Sequence, residues 1–261
     1  MNFSNELKCP LCKSNAKSLW PELKVCKCQS CQLLFRYPAA TEEELAVLYR
    51  TSWGDPNNQT DETGATSQEL AQVYISELAK SLGRTDFKGL RILDYGAGRG
   101  AMQKALLDAG ADAYSVEPFG YEYLLQKGYK AFRSLAELPK DIFFDGVISV
   151  DVVEHLQIPW DDYKNLKDHL TVNGWLYIST PNAAGINAQF YRAKWRELYN
   201  RGHLFFFTPA TLKLALEESG YNHIKRLQWY INYRRGPVTT ILHWLFEFMK
   251  IDGELRYLAC K

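Results

Sequence analysis

The sequence has no apolar run near the roughly 20 residues that a membrane-spanning helix requires, so no span is expected in its 261 residues. Its most lipid-like stretch, Thr239 to Met249, is broken by His243 and Glu247 and reads as an amphipathic helix packed on the domain or on a partner. The opening segment, MNFSNELKCP, lacks the apolar core of a secretion signal. A cytoplasmic location is the expectation. A basic excess is missing too: 31 basic residues face 30 acidic ones, for a formal charge of +1. A chain that tracks a phosphate backbone usually carries a clear basic surplus, so nucleic acid is disfavoured as a partner. No internal repeat and no low-complexity tract interrupts the chain. Cysteine is scarce outside one cluster. Five of the six lie between Cys9 and Cys31, with Cys260 alone at the far end. Clustered pairs without a secretion signal point to metal rather than to disulfides.

What is present suffices for a sizeable core, with 46% hydrophobic and 23% charged residues. Three zones divide the chain: cysteine-rich residues 1–40, a helical stretch 41–82, and residues 83–261, where strands and helices alternate. In the second zone TSQE, Thr66 to Glu69, has the form of a capping box that opens a helix with the apolar stripe Leu70, Tyr74, Leu78 and Leu82. In the third, RILDYG, AYSVEP, KAF, GVISVDV, GWLYIST, HIKRLQWY and LRYLAC read as strands. Helices are expected over 101–109, 121–127, 161–170 and 209–219. Such alternation implies an α/β sheet covered by helices on both faces.

Cys9-Pro-Leu-Cys12 and Cys28-Gln-Ser-Cys31 are CxxC pairs separated by 15 residues. Each can form a tight turn that aims two thiolates at one ion, and two turns close a tetrahedral zinc site with no open position. Cys9, Cys12, Cys28 and Cys31 are therefore the expected ligands of a structural zinc. Cys26 is an alternative to Cys28, and Lys13 and Gln32 stand where a glycine often follows such pairs.

LDYGAGRG, Leu93 to Gly100, follows an apolar strand and leads into a helix. Glycines at such a turn let the backbone pass close to a ligand. Asp94 precedes them, and Glu117, 23 residues further on, ends the next strand, where a carboxylate can accept ribose hydroxyls. This arrangement resembles the cofactor motifs of class I S-adenosylmethionine-dependent methyltransferases. FDGVISVDVVEHL, GWLYISTPN and RGHLFFFTPATLKLALEESGY continue the likeness toward ubiquinone-biosynthesis-type O-methyltransferases. The ribbon with PAATEEELAVLYRTSW resembles the lead-in of zinc-ribbon members that modify sugars and other small bacterial metabolites.

The resemblance implies a Rossmann-like seven-stranded sheet with a small N-terminal zinc ribbon. It implies S-adenosylmethionine held by Asp94, Gly96, Ala97, Gly98, Glu117, Pro118 and Asp151. It also implies an acceptor side built from Glu154 and His155, with His203 as a second candidate base. Asp151, Glu154 and His155 stand at i, i+3 and i+4, which a helical turn would bring to one face; relatives associate this string with a divalent cation, here magnesium. The stretch from Gln189 to His203 is a candidate lid, with Arg192, Lys194 and Arg196 available to a phosphate, and Tyr49 and Trp53 can close over the same cleft. The expected acceptor is a small hydroxylated metabolite such as a sugar or sugar nucleotide. Two rivals remain: an RNA methyltransferase that grips nucleic acid through its ribbon, and a non-catalytic cofactor-binding scaffold.

Overall fold

The computed structural model describes residues 7–54, 64–229 and 252–261. The side chain of Trp53 and the stretch Thr239 to Met249 lie outside the described set. Among the described residues no helix is long and apolar enough to cross a membrane.

The N-terminal strands β1 (Ala16–Trp20), β2 (Val25–Cys28) and β3 (Leu34–Arg36) form an antiparallel meander. Helices α1 (Glu42–Gly54) and α2 (Gly64–Ser81) follow. The second begins at Gly64, so Thr66 lies inside the helix rather than capping it. Helix ends are weakly specified by local sequence, and a polar turn upstream extends at little cost.

The remainder alternates: β4 (Arg91–Tyr95), α3 (Ala101–Asp108), β5 (Asp112–Val116), α4 (Tyr121–Gln126), β6 (Lys130–Phe132), β7 (Phe144–Val150), α5 (Pro159–Asp168), β8 (Leu170–Pro181), α6 (Ile186–Tyr191), β9 (Phe205–Phe206), α7 (Pro209–Glu218), β10 (Asn222–Arg226) and β11 (Glu254–Cys260). The main sheet has the seven strands that the sequence predicts, in the order β10-β11-β8-β7-β4-β5-β6. Strands β4 to β8 run parallel, and β11 enters antiparallel between β8 and β10. Ile92, Leu93, Val147, Ile148, Leu176 and Ile178 are wholly buried on the central strands, as expected for a parallel sheet covered on both faces. The chain fills one side of β4 with β5 and β6, then crosses to β7 and β8 on the other. That reversal leaves a crevice at the carboxyl ends of the strands, where α/β sheets bind ligands.

The ribbon is not a free appendage. Its sheet is four-stranded, in the order β1-β2-β3-β9, and the outer strand comes from beyond β8. Leu34 pairs with Phe206 and Phe35 with Phe205. Cys9, Leu11 and Phe35 belong to the same apolar core as Leu93, Val147, Leu204 and Phe207. The Arg36 guanidinium turns inward and donates to the carbonyl oxygens of His203 (2.7 Å), Leu23 (2.7 Å), Leu198 (2.6 Å) and Asn200 (3.0 Å). One side chain thereby gathers four carbonyls from the ribbon and from the segment before β9.

The two cysteine turns show how the missing glycines are replaced. Lys13 and Gln32 both take left-handed backbone, at φ 60° and 69°, a conformation that costs an L side chain about 1–2 kcal/mol. Each reaches back to the carbonyl three residues earlier: Lys13 Nζ to Pro10 (2.6 Å) and Gln32 Nε2 to Gln29 (2.9 Å). Those bonds offset the strain of the turn.

Candidate functional site

The four sulfurs of Cys9, Cys12, Cys28 and Cys31 lie within 4.8 Å of one another. Cys9 Sγ is 3.7 Å from Cys31 Sγ, and Cys12 Sγ is 3.4 Å from Cys28 Sγ. A tetrahedral ion about 2.3 Å from each thiolate requires sulfur separations of about 3.8 Å, so the donor set fits zinc. Cys26 is outside this group. It sits within β2, paired with Ser18 and Phe35, and burial pushes its thiol up.

At the carboxyl end of β4, Asp94 is buried and one of its oxygens, Oδ2, has no hydrogen-bond partner. Burial, with Glu117 nearby, raises its carboxyl to about 7. The chain then turns sharply through Gly96, Ala97 and Gly98. Gly96 has φ 78°, and a Cβ there would lie 2.3 Å from Val152 Cγ2, so both backbone angle and space demand glycine. Its N–H donates to Val116 O at 2.8 Å, which ties the loop to the end of β5. Glu117, followed by Pro118, folds back over the loop. Its carboxylate accepts from the backbone N–H of Gly98 (2.9 Å), Phe119 (3.0 Å) and Gly120 (3.3 Å). Burial raises its pKa while those three N–H groups hold it down. A buried carboxylate beside an orphaned one, at a glycine turn in the crevice, suits a ligand that offers hydroxyls and positive charge.

The acceptor side departs from the helical-face expectation. Asp151 takes φ 54°, residues 152–155 form a turn rather than a helix, and Asp151, Glu154 and His155 do not share one face. A left-handed residue cannot propagate a right-handed helix. Asp151 instead faces a second charged group. Asp151 is open to solvent in the crevice, yet the protein packed around it and the charges of Glu254 and Glu197, against Arg256, raise its carboxyl above the usual range. Glu254 itself accepts from Tyr74 Oη and Arg256 Nη2, each at 2.6 Å.

Glu154 is buried. It accepts from Thr180 Oγ1 at 2.9 Å, and burial, with Asp151 nearby, holds its carboxyl well above the usual range. His155 packs edge-on against His203, with ring centroids 4.6 Å apart. The two histidines are not equivalent. His203 Nε2 accepts from the amide of Asn200 at 2.9 Å, and that amide is oriented by Gly202 N–H donating to its oxygen. Its Nδ1 faces Glu197 at 3.6 Å. His203 Nε2, through Asn200, thus holds the segment before β9. His155 Nδ1 is 3.0 Å from Gly202 O and 2.7 Å from Tyr49 Oη, while Nε2 has no hydrogen-bond partner among the described residues. Burial lowers His155 to about 4 and His203 to about 3, so both are neutral at pH 7.

Glu154, His155 and His203 also offer ligand atoms within 4.8 Å of one another. The set does not fit magnesium. It is nitrogen-rich, Asp151 is outside it, and His203 Nε2 is committed to Asn200, whereas magnesium demands oxygen donors in near-octahedral array. No step is derived through such an ion. The candidate lid lines a cavity of about 500 Å³ at the ends of β8 and β11, where Tyr191, Lys194, Trp195, Arg196 and Glu197 meet Asn182. Arg192 is exposed at the end of α6 and does not line it. Arg36, the commitment of His203 and the Glu254–Arg256 group carry no local sequence signal, because each depends on pairing between distant segments.

The methyltransferase domain family profile matches residues 67–226. A ubiquinone biosynthesis O-methyltransferase of Dinoroseobacter shibae is 26% identical over 195 residues, covering 67% of this chain and 79% of that protein. A tRNA U34 carboxymethyltransferase of Pseudomonas paraeruginosa is 31% identical over 148 residues, covering 52% of this chain and 46% of that protein. The chain thus spans about half the length of that second relative. Among solved structures, the 1,6-didemethyltoxoflavin-N1-methyltransferase of Burkholderia thailandensis, with bound S-adenosylhomocysteine, superposes with a TM-score of 0.55 at 18% identity, covering 89% of this chain and 97% of that one. The family match embraces the glycine turn, Glu117 and the Glu154–His155 turn together, and the chain belongs to the methyltransferase domain family as a class I S-adenosylmethionine-dependent enzyme.

Proposed function

We propose that this enzyme methylates an oxygen of a small hydroxylated metabolite, such as a sugar or sugar nucleotide, with His155 as the general base. The observation that carries this reading is that His155, in the turn after β7, has no hydrogen-bond partner at Nε2 among the described residues, while Tyr49 links its ring to Phe119, two residues past Glu117. When bound, S-adenosylmethionine supplies an electrophilic methyl group on a sulfonium. Gly96, Ala97 and Gly98 bring the backbone close to it, Asp94 and Asp151 offer carboxylates to its positive charge, and Glu117, ahead of Pro118, keeps lone-pair capacity for a ribose hydroxyl beyond the three N–H groups it accepts. His155 Nε2 would take the acceptor's hydroxyl proton as the acceptor oxygen gains the methyl group, the bond from that carbon to sulfur breaking as the bond to oxygen forms. Neutral His155 is ready for that role at pH 7 without prior deprotonation. Tyr191 and Trp195 offer ring faces to a sugar, and Lys194 and Arg196 offer cations to a phosphate.

The ribbon, in this reading, holds a structural zinc through Cys9, Cys12, Cys28 and Cys31. Two of its basic residues are engaged within the fold: Arg36 is turned inward onto four carbonyls and Lys13 reaches the carbonyl of Pro10. The tRNA-modifying relatives make RNA the second reading. Labelled S-adenosylmethionine, offered with sugar nucleotides, catechols and short RNA at moderate salt, separates the two. Label is expected on the hydroxyl of a small acceptor. Label on RNA alone, falling steeply as salt rises, would replace this proposal with the second.

A further inference from the structure

Helix α1 carries the N-terminal segment from the ribbon back over the crevice and delivers Tyr49 to His155. The phenol oxygen is 2.7 Å from His155 Nδ1, and the two rings meet edge-on at 5.8 Å. On its other side the Tyr49 ring lies 5.1 Å from Phe119, two residues past Glu117. The junction is close-fitting: a Cβ at residue 202 would lie 2.7 Å from Tyr49 Oη and 3.0 Å from His155 Nδ1. One aromatic side chain therefore bridges the cofactor turn and the candidate base.

We propose that Tyr49 is a positioning residue that, together with the Gly202 carbonyl, holds His155 in the Nδ1–H tautomer and so leaves the Nε2 lone pair for the acceptor. The inference rests on the reading of His155 as base. A histidine side chain in water favours the proton on Nε2, which would remove the basic lone pair from the nitrogen the reaction needs. The tautomer is set by what the other nitrogen bonds. Here Nδ1 faces two oxygens, Gly202 O at 3.0 Å and Tyr49 Oη at 2.7 Å. The carbonyl can only accept, so it calls for a proton on Nδ1, where a bare lone pair would face the carbonyl oxygen; the phenol oxygen, a donor or an acceptor, then accepts from the same N–H. Once Nε2 gains the acceptor's proton, the same two oxygens share the charge of the imidazolium. His203 and Glu154 also border the ring. His203 keeps its Nε2 on Asn200 with its Nδ1 facing Glu197, and Glu154 is held by Thr180.

The test is Tyr49→Phe, which keeps the ring contact with Phe119 and removes only the oxygen. Histidine-labelled protein, saturated with S-adenosylhomocysteine, is read by nitrogen NMR, with His155→Ala assigning the signal. Wild type is expected to show His155 protonated at Nδ1 and bare at Nε2, and the variant to shift toward the opposite tautomer at unchanged ligand affinity. With the acceptor found by the labelling assay, kcat is expected to fall about tenfold at constant KM for S-adenosylmethionine. A wild-type tautomer pattern and turnover in Tyr49→Phe would overturn the assignment. Full turnover in His155→Ala would instead remove the base reading beneath it, and the NMR pattern distinguishes the two failures.

Discussion

Replacing Cys28 with serine is expected to release the metal, lower the melting temperature by more than about 10 °C, and abolish methyl transfer. Removing one of four thiolates opens a site whose binding energy is folding energy, about 10–16 kcal/mol for zinc-finger peptides. For a chain of this size a few kcal/mol already moves the melting temperature by about 10 °C. The loss reaches the reaction centre through the backbone. Cys28 ends β2, β2 pairs with β3, and β3 pairs with β9. Arg36 at the end of β3 donates to the carbonyl of His203, next to the Gly202 carbonyl that faces His155. A ribbon that unfolds releases β9, Arg36 and Gly202 together. Metal analysis and thermal melting check the claim, with Cys26→Ser as the comparison that should keep about one zinc per chain. Full zinc and full activity in Cys28→Ser would contradict it.

His155→Ala is expected to lower kcat by roughly 10²–10⁴-fold, the usual contribution of a positioned general base, while leaving S-adenosylhomocysteine affinity nearly unchanged. His203→Ala removes a different element. It frees Asn200 and Glu197 and loosens the segment before β9, so it is expected to lower stability as well as rate. Single-turnover rates set beside melting curves separate a chemical loss from a structural one. Equal kcat losses in both variants, each accompanied by unfolding, would reduce His155 to a packing role.

What the sequence revealed, and what it hid, divides by the range of the interactions. Most of the strands are legible because they are short apolar runs closed by a turn, the polar edge strand β10 being the exception, and the glycine turn with Asp94 and Glu117 is local in the chain. The CxxC pairs were legible for the same reason, and pairing within β2 accounts for why Cys26 is left out. The joining of β3 to β9 was not, since Phe205 and Phe206 lie some 170 residues from their partners in an unbroken apolar run that gives no register. The turn at Asp151 departs from the one-face expectation because i, i+3, i+4 spacing implies one face only if every intervening residue is helical, and Asp151 is left-handed. Tyr49 was legible as an aromatic near the cleft. Its bond to His155 spans 106 positions and needed the fold.

The central claim, that the crevice behind Gly96 and Glu117 binds the cofactor, is tested most directly by calorimetric titration with S-adenosylhomocysteine. Wild type is expected to show one site per chain, and Glu117→Ala to bind about 10- to 150-fold more weakly, the worth of a lost charge-assisted bond of about 1.5–3 kcal/mol. Equal affinity in the two proteins would put the cofactor somewhere else.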